Sequence, residues 1–181
     1  MLFWFGLVLC HFYRQDCQHF AAFLSWTYSV HNLGILLDSN LTMVPHVNSV
    51  TKTCFYYLAL ISRICTFLDR ESTKSLVHAL VISRLDYANS LLYGLPNSVL
   101  KKLQRVQNSA VRLIFGAGSR DHITPLRREL HRLPIDKRLD FKIALYTFRC
   151  LNGLAPTYLS CLVSPYVSPQ TSTSGLPRSD H

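Results

Sequence analysis

The sequence predicts a mainly α fold, a helical bundle with a small β remnant near residues 33–38. Three observations lead there. Apolar residues recur at helical spacing from Pro45 to Cys150. Proline, glycine and short polar residues interrupt that pattern at intervals suited to separate helices. One run, LGILLD at 33–38, is short, continuously apolar and closed by an Asp-Ser-Asn turn, as a strand would be.

Taken in order, Pro45 suits a first helical turn, and Val47, Val50, Cys54, Tyr57, Leu58 and Ile61 then share one stripe. Asp69 is placed to cap a second helix whose apolar face holds Leu76, Leu80 and Val81. Gly94-Leu95-Pro96 breaks the chain. Asn97 or Ser98 can cap a third helix, with Leu100, Leu103, Val106, Ala110 and Leu113 inward and a stop near Gly116. Thr124-Pro125 reads as a cap and first-turn proline for the short helix PLRREL. Leu133-Pro134 opens the next helix, with Ile135, Leu139, Ile143, Tyr146 and Cys150 at helical spacing. Asn152-Gly153 ends it, and Ala155-Pro156 begins a short turn through TYLSCLV.

Residues 1–30 form an apolar N-terminal segment, 31–163 the helical body, and 164–181 a Ser/Pro/Thr-rich tail expected to be disordered. The opening MLFWFGLVLCHF falls short of the ~20 apolar residues a spanning helix needs, so no membrane partner is expected. A hydrophobic fraction of 49% against 16% charged residues excludes general disorder. The six cysteines show no Cys-x2-4-Cys zinc spacing, and they read as reduced thiols in an intracellular protein, cytoplasmic or nuclear.

Charge divides the chain. The formal net charge is +9, and twelve Lys and Arg face only four Asp and Glu between Val99 and Arg149. The first fifty residues hold one Arg and two Asp. Such a surplus favours an anionic partner. Lys101, Arg105 and Arg112 lie near one face of the third helix, offset by four and seven residues, with Lys102 beside them. Gln104, Gln107 and Asn108 would extend its polar side. That face suits a phosphate backbone; a solvated helix exterior is the alternative.

Catalytic motifs are scarce. Two-metal phosphoryl transfer needs carboxylates gathered around two ions, and no Asp-Asp pair occurs in the sequence. Asp86, within SRLDYANSLLYGLP, is expected to accept hydrogen bonds at a structural corner formed with Tyr87, Gly94 and Pro96. His122, His131 and Asp136 match no zinc motif, and no serine sits in a Gly-x-Ser-x-Gly elbow. No catalytic residue, metal or cofactor is expected.

Four ordered blocks now carry a resemblance: NLGILLDSNLTMVPHV at 32–47, LVHALVISRLDYANSLLYGLP at 76–96, LKKLQRVQNSAVRLIFG at 100–116, and HITPLRRELHRLPIDKRLDFKIALYTFRCLNGLAPTYL at 122–159. Together they make the chain resemble the region after the catalytic palm in reverse transcriptases of non-LTR (LINE-type) retrotransposons. The resemblance implies a helical, thumb-like region that grips an RNA or DNA duplex without reading its sequence. It adds Arg127, Arg128, Lys137, Arg138 and Lys142 to the nucleic-acid surface, and places SRLDYANSLLYGLP outside any catalytic centre. Arg132 stands where that family commonly has Trp. The expected function is thus a catalytically incomplete polymerase fragment, not an enzyme. A helical protein-interaction module, self-associating through surface the palm would cover, and a genomic relic without a role are the alternatives.

Overall fold

The computed structural model describes residues 29–163, so the expectations for 1–28 and for the 164–181 tail lie outside the described residues. The fold is mainly helical with a small two-stranded antiparallel sheet. The chain divides into two compact units, Met1–Ala144 and Leu145–His181.

The sheet is a hairpin of β1 (Ser29–Asn32) and β2 (Ile35–Asp38), paired from Ser29 with Asp38 to Asn32 with Ile35. LGILLD is therefore not a single strand. Its first two residues form the turn, with φ of 47° at Leu33 and 81° at Gly34. Two positive φ values are what a two-residue turn needs to match the strands' right-handed twist. The hairpin also begins at Ser29, inside the segment set apart by composition.

Asp38 links the hairpin to α1 (Val44–Ile64). Its carboxylate accepts from the Thr42 amide at 3.2 Å, the Thr42 hydroxyl at 2.8 Å and the Met43 amide at 3.1 Å. It thereby satisfies donors just ahead of the helix and puts negative charge at the positive end of the helix dipole. His46 lies buried one turn on, its Nδ1 accepting the Leu36 amide at 3.3 Å. The expected stripe of α1 is largely inward: Val47, Cys54, Leu58 and Ile61 are buried, Val50 and Tyr57 half-buried.

Asp69 caps α2 (Arg70–Val77), accepting from the amides of Glu71 and Ser72. The helix runs without a break through a π-helical turn, His78–Ile82, into α3 (Ser83–Asp86). The buried side chains are Thr73, Val77, Val81, Ile82 and Leu85, whereas Leu76 and Leu80 are half-buried. Four-residue spacing from 73 to 85 drifts about 40° per step around an α-helix of 3.6 residues per turn. The wider π turn absorbs that drift and keeps the residues facing inward. Cys54 points its thiol at the Val81 carbonyl in this turn, at 3.8 Å, and burial pushes its pKa up to about 11.

A 3-10 turn at Asn89–Leu92 leads to α4 (Asn97–Phe115), which packs along α1 and against α2. Neither Asn97 nor Ser98 caps this helix: Pro96 precedes it, and its carbonyl accepts the Val99 amide at 2.9 Å. The core face is Val99, Leu103, Val106, Gln107, Ala110, Val111 and Ile114, with Leu100 and Leu113 at its margin. Gly116, at φ 61°, closes the helix as expected. Next, α5 (Ile123–Glu129) packs on α4 and starts before Thr124, with no side-chain cap. α6 (Ile135–Leu151) follows with Ile135, Leu139, Ile143 and Cys150 buried.

In the second unit, the Leu154 amide returns to the Arg149 carbonyl at 2.9 Å across Gly153, whose φ of 67° allows the reversal. Pro156 then precedes α7 (Thr157–Ser160).

Candidate nucleic-acid interface

Lys101 and Arg105 stand one turn apart on the outer face of α4, both exposed and neither in an ion pair or side-chain hydrogen bond among the described residues. Arg127, half-buried, and Arg128, exposed, share that unpartnered condition on α5, the helix packed against α4. Four cations thus sit on two adjoining helices with no carboxylate neutralising them. The Glu129 carboxylate beside them is directed to Arg70, at 2.6 Å.

The other five residues of the expected surface are engaged. Lys102 donates to Asn48 Oδ1 at 2.6 Å, tying α4 to α1. Arg112 donates to the carbonyls of Gly118 at 3.2 Å and Ser119 at 3.4 Å, closing the loop after α4. Asp121 completes that loop by accepting the Gly118 amide at 2.7 Å. Lys137 pairs with Asp140 at 3.2 Å in an exposed contact worth little. Lys142 is half-buried and has a partner of its own. Arg138 donates to Asp86 and keeps only 14% of its side chain exposed.

Asp86 is thereby one end of an ion pair that joins α3 to α6. Arg132 also lies within its electrostatic reach. Burial, then repulsion from Arg138, lowers the Arg132 pKa, and Asp86 works the other way. The adjacent Tyr87 donates its hydroxyl to the Leu33 carbonyl at 2.5 Å, fastening the hairpin turn to the corner. Gly94 turns the chain toward Pro96 with φ of 84°, a conformation that favours glycine.

Sequence reasoning placed Gln104, Gln107 and Asn108 on the polar side of the basic face; for Gln107 the structure reverses that. Gln107 is wholly buried and donates to the Leu133 carbonyl at 2.8 Å. Gln104 donates to Gln107 Oε1 and Asn108 Oδ1, each at 2.8 Å, and accepts the Ile135 amide at 2.9 Å. The two glutamines bracket the start of α6 and satisfy polar groups there that burial would otherwise penalise. Spacing could have found this, because Gln107 falls inside the stripe from Leu103 to Ile114. Arg70, stacked 3.9 Å over the Phe115 ring, and Arg84, 4.4 Å over Tyr57, were also missed, since cation–π partners leave no local signature.

Asp38, the carboxylate that closes the LGILLD run, accepts three hydrogen bonds from Thr42 and Met43. Among the described residues no group of three or more His, Cys, Asp or Glu could hold a metal ion. Cys54, Cys65, Cys150 and Cys161 are free thiols. No described helix is long and apolar enough to cross a membrane. Comparison with known proteins finds no matching family model, no matching curated protein and no matching solved structure.

Proposed function

We propose that the chain is a catalytically incomplete fragment of a non-LTR retrotransposon RNA-directed DNA polymerase, one that keeps a basic helical surface for sequence-independent binding of nucleic acid. The observation that supports it most is the set of four unpartnered cations, Lys101, Arg105, Arg127 and Arg128, on adjoining helices. Phosphates are held by flexible, uncompensated Lys and Arg, which release counterions on binding and carry no base information. The four resembling sequence blocks support the family, and the lack of an Asp-Asp pair among these 181 residues supports the incompleteness.

The test is fluorescence anisotropy of labelled duplexes of two unrelated sequences, titrated with the full chain across a salt series. Contact with about four phosphates gives a log–log salt slope of about −4, alike for both duplexes. The double reversal Lys101→Glu, Arg105→Glu lowers affinity for both and makes the slope shallower by about 2. A flat salt dependence, or a double variant that binds as the parent does, overturns the proposal.

A further inference from the structure

The first helix is apolar on two sides. Its inner side is the core face of Val47, Cys54, Leu58 and Ile61. Tyr56 lies opposite it, and Leu60 and Ile64 follow at four-residue steps that drift about 40° each toward the flank, the three being 61%, 39% and 46% exposed. Phe67, in the turn after the helix, continues the line and is 88% exposed. A surface helix ordinarily turns charged and polar residues outward, so a run of exposed apolar side chains beside Lys52 and Arg63 marks a patch that a partner can cover. From Tyr56 to Ile64 the line covers nine residues, about 12 Å of helix, room for just over two turns of a partner helix, and Phe67 extends it past the helix end. Anchors spaced in this way are how an amphipathic helix is held in a groove.

Charge decides which partner. Lys52 and Arg63 fall on this outer side, and Val44–Ile64 contains no acidic residue. The next carboxylates along the chain are spoken for: Asp69 caps α2, and Glu71 pairs with Lys74. Asp69 keeps its charge but sets it against the positive end of α2, which leaves Lys52 and Arg63 in excess on this side. A second copy would bring the same two cations and no acid against them. A nucleic acid would meet two aliphatic side chains, Leu60 and Ile64, where a backbone-tracking face offers donors. We propose that this side of α1 binds an acidic amphipathic helix of a partner protein, its apolar side on Tyr56, Leu60, Ile64 and Phe67 and its carboxylates toward Lys52 and Arg63. This site is separate from the four cations of α4 and α5, so either can fail without the other.

The experiment uses the full chain and three labelled synthetic peptides of about 18 residues, five helical turns. One carries Leu at helical spacing on one side and Glu on the other. The second has the same residues shuffled so that the leucines no longer share a side, and the third has Lys in place of Glu. The first binds saturably, and the other two bind at least about tenfold more weakly. Ile64→Asp, an exposed change whose fold is checked by circular dichroism, reduces binding of the first peptide by about tenfold or more. The Lys101→Glu, Arg105→Glu chain binds it as the parent does. Equal binding of the shuffled or lysine peptide overturns the proposal, as does no binding at all. A dimer seen by sedimentation velocity and dissolved by Ile64→Asp assigns the face to a second copy instead, and loss of duplex affinity in Ile64→Asp assigns it to nucleic acid.

Discussion

Asp86 faces Arg138 directly and feels Arg132 at longer range, so one carboxylate serves two guanidinium groups. Asp86 retains 36% of its side-chain exposure while Arg138 is nearly enclosed, which places this pair between the weak surface class and the strongly coupled buried class. Removing the acid strands Arg138; removing Arg132 relieves a desolvated, repelled charge. The two substitutions therefore act in opposite directions. Asp86→Ala is expected to cost about 2 kcal/mol, and Arg132→Leu to add about 1 kcal/mol, read as urea midpoints at neutral pH. Stabilisation by Asp86→Ala, or destabilisation by Arg132→Leu, would show that packing and not charge governs the corner. The sequence marks Asp86 as a carboxylate among apolar residues, which is a local property. It cannot mark Arg138, 52 positions later, as its partner, because that pairing exists only once α3 and α6 meet. For the same reason Arg112, read from the charged face of its helix, and Arg138, read from the resemblance, stood among the phosphate-binding candidates, although each already donates within the fold.

The hairpin and α1 meet through two titratable groups whose shifts make the junction sensitive to acid. For His46, burial comes first and the nearby His31 second, and both lower its pKa from the usual 6.5. Protonation would remove the Nδ1 lone pair that accepts the Leu36 amide and put a positive charge on a buried ring that His31 already disfavours electrostatically. For Asp38, burial alone would raise the pKa, but the hydrogen bonds from Thr42 and Met43 outweigh it and hold the carboxyl below 3.8. A group with a lowered pKa gives stability that is complete above its unfolded value and fades as pH falls through that value toward the folded one. His46 therefore acts below about 6.5, and Asp38 only below about 3.8. Hydrogen exchange should show the Leu36 amide and its hairpin neighbours losing protection between about pH 7 and pH 5 while α4 amides keep theirs; His46→Asn should remove that difference. Protection that changes equally in both elements would rule out a local release. The hairpin itself was half legible. Ile35–Asp38 announces a strand, but Leu33-Gly34 is not one of the usual two-residue turn signals, and Leu33 adopts a positive φ that its side chain disfavours. Periodicity found the helices well and their inner faces less well. The π turn shifts the face of the second helix from Leu76 and Leu80 to Val77 and Ile82, and a single-period template has no way to express that shift.

Across the whole molecule the surplus of positive charge has two consequences with opposite dependence on salt. Among the described residues the exposed ion pairs, Arg70 with Glu129, Lys74 with Glu71 and Lys137 with Asp140, each have weak coupling that salt screens at small loss. Against them stands the mutual repulsion of Lys101, Arg105, Arg127 and Arg128 within a stretch of twelve cations and four acids. That term is present in the compact chain and diluted in the unfolded one, so screening it stabilises the fold. Between about 50 and 300 mM sodium chloride the Debye length falls from roughly 14 to 6 Å, shorter than the spacing across adjoining helices. A gain of the order of 1 kcal/mol follows, which for a chain of this size raises the thermal midpoint by about 2 to 4 °C. Sodium chloride is the salt to use, because phosphate or sulfate would bind the cations and stabilise by mass action. The same range of chloride should weaken duplex binding by about three orders of magnitude at a log–log slope near −4. If the midpoint of the free chain falls with added chloride, attraction between charges outweighs repulsion, the four cations are not the uncompensated set their surroundings indicate, and the proposed phosphate surface loses its basis.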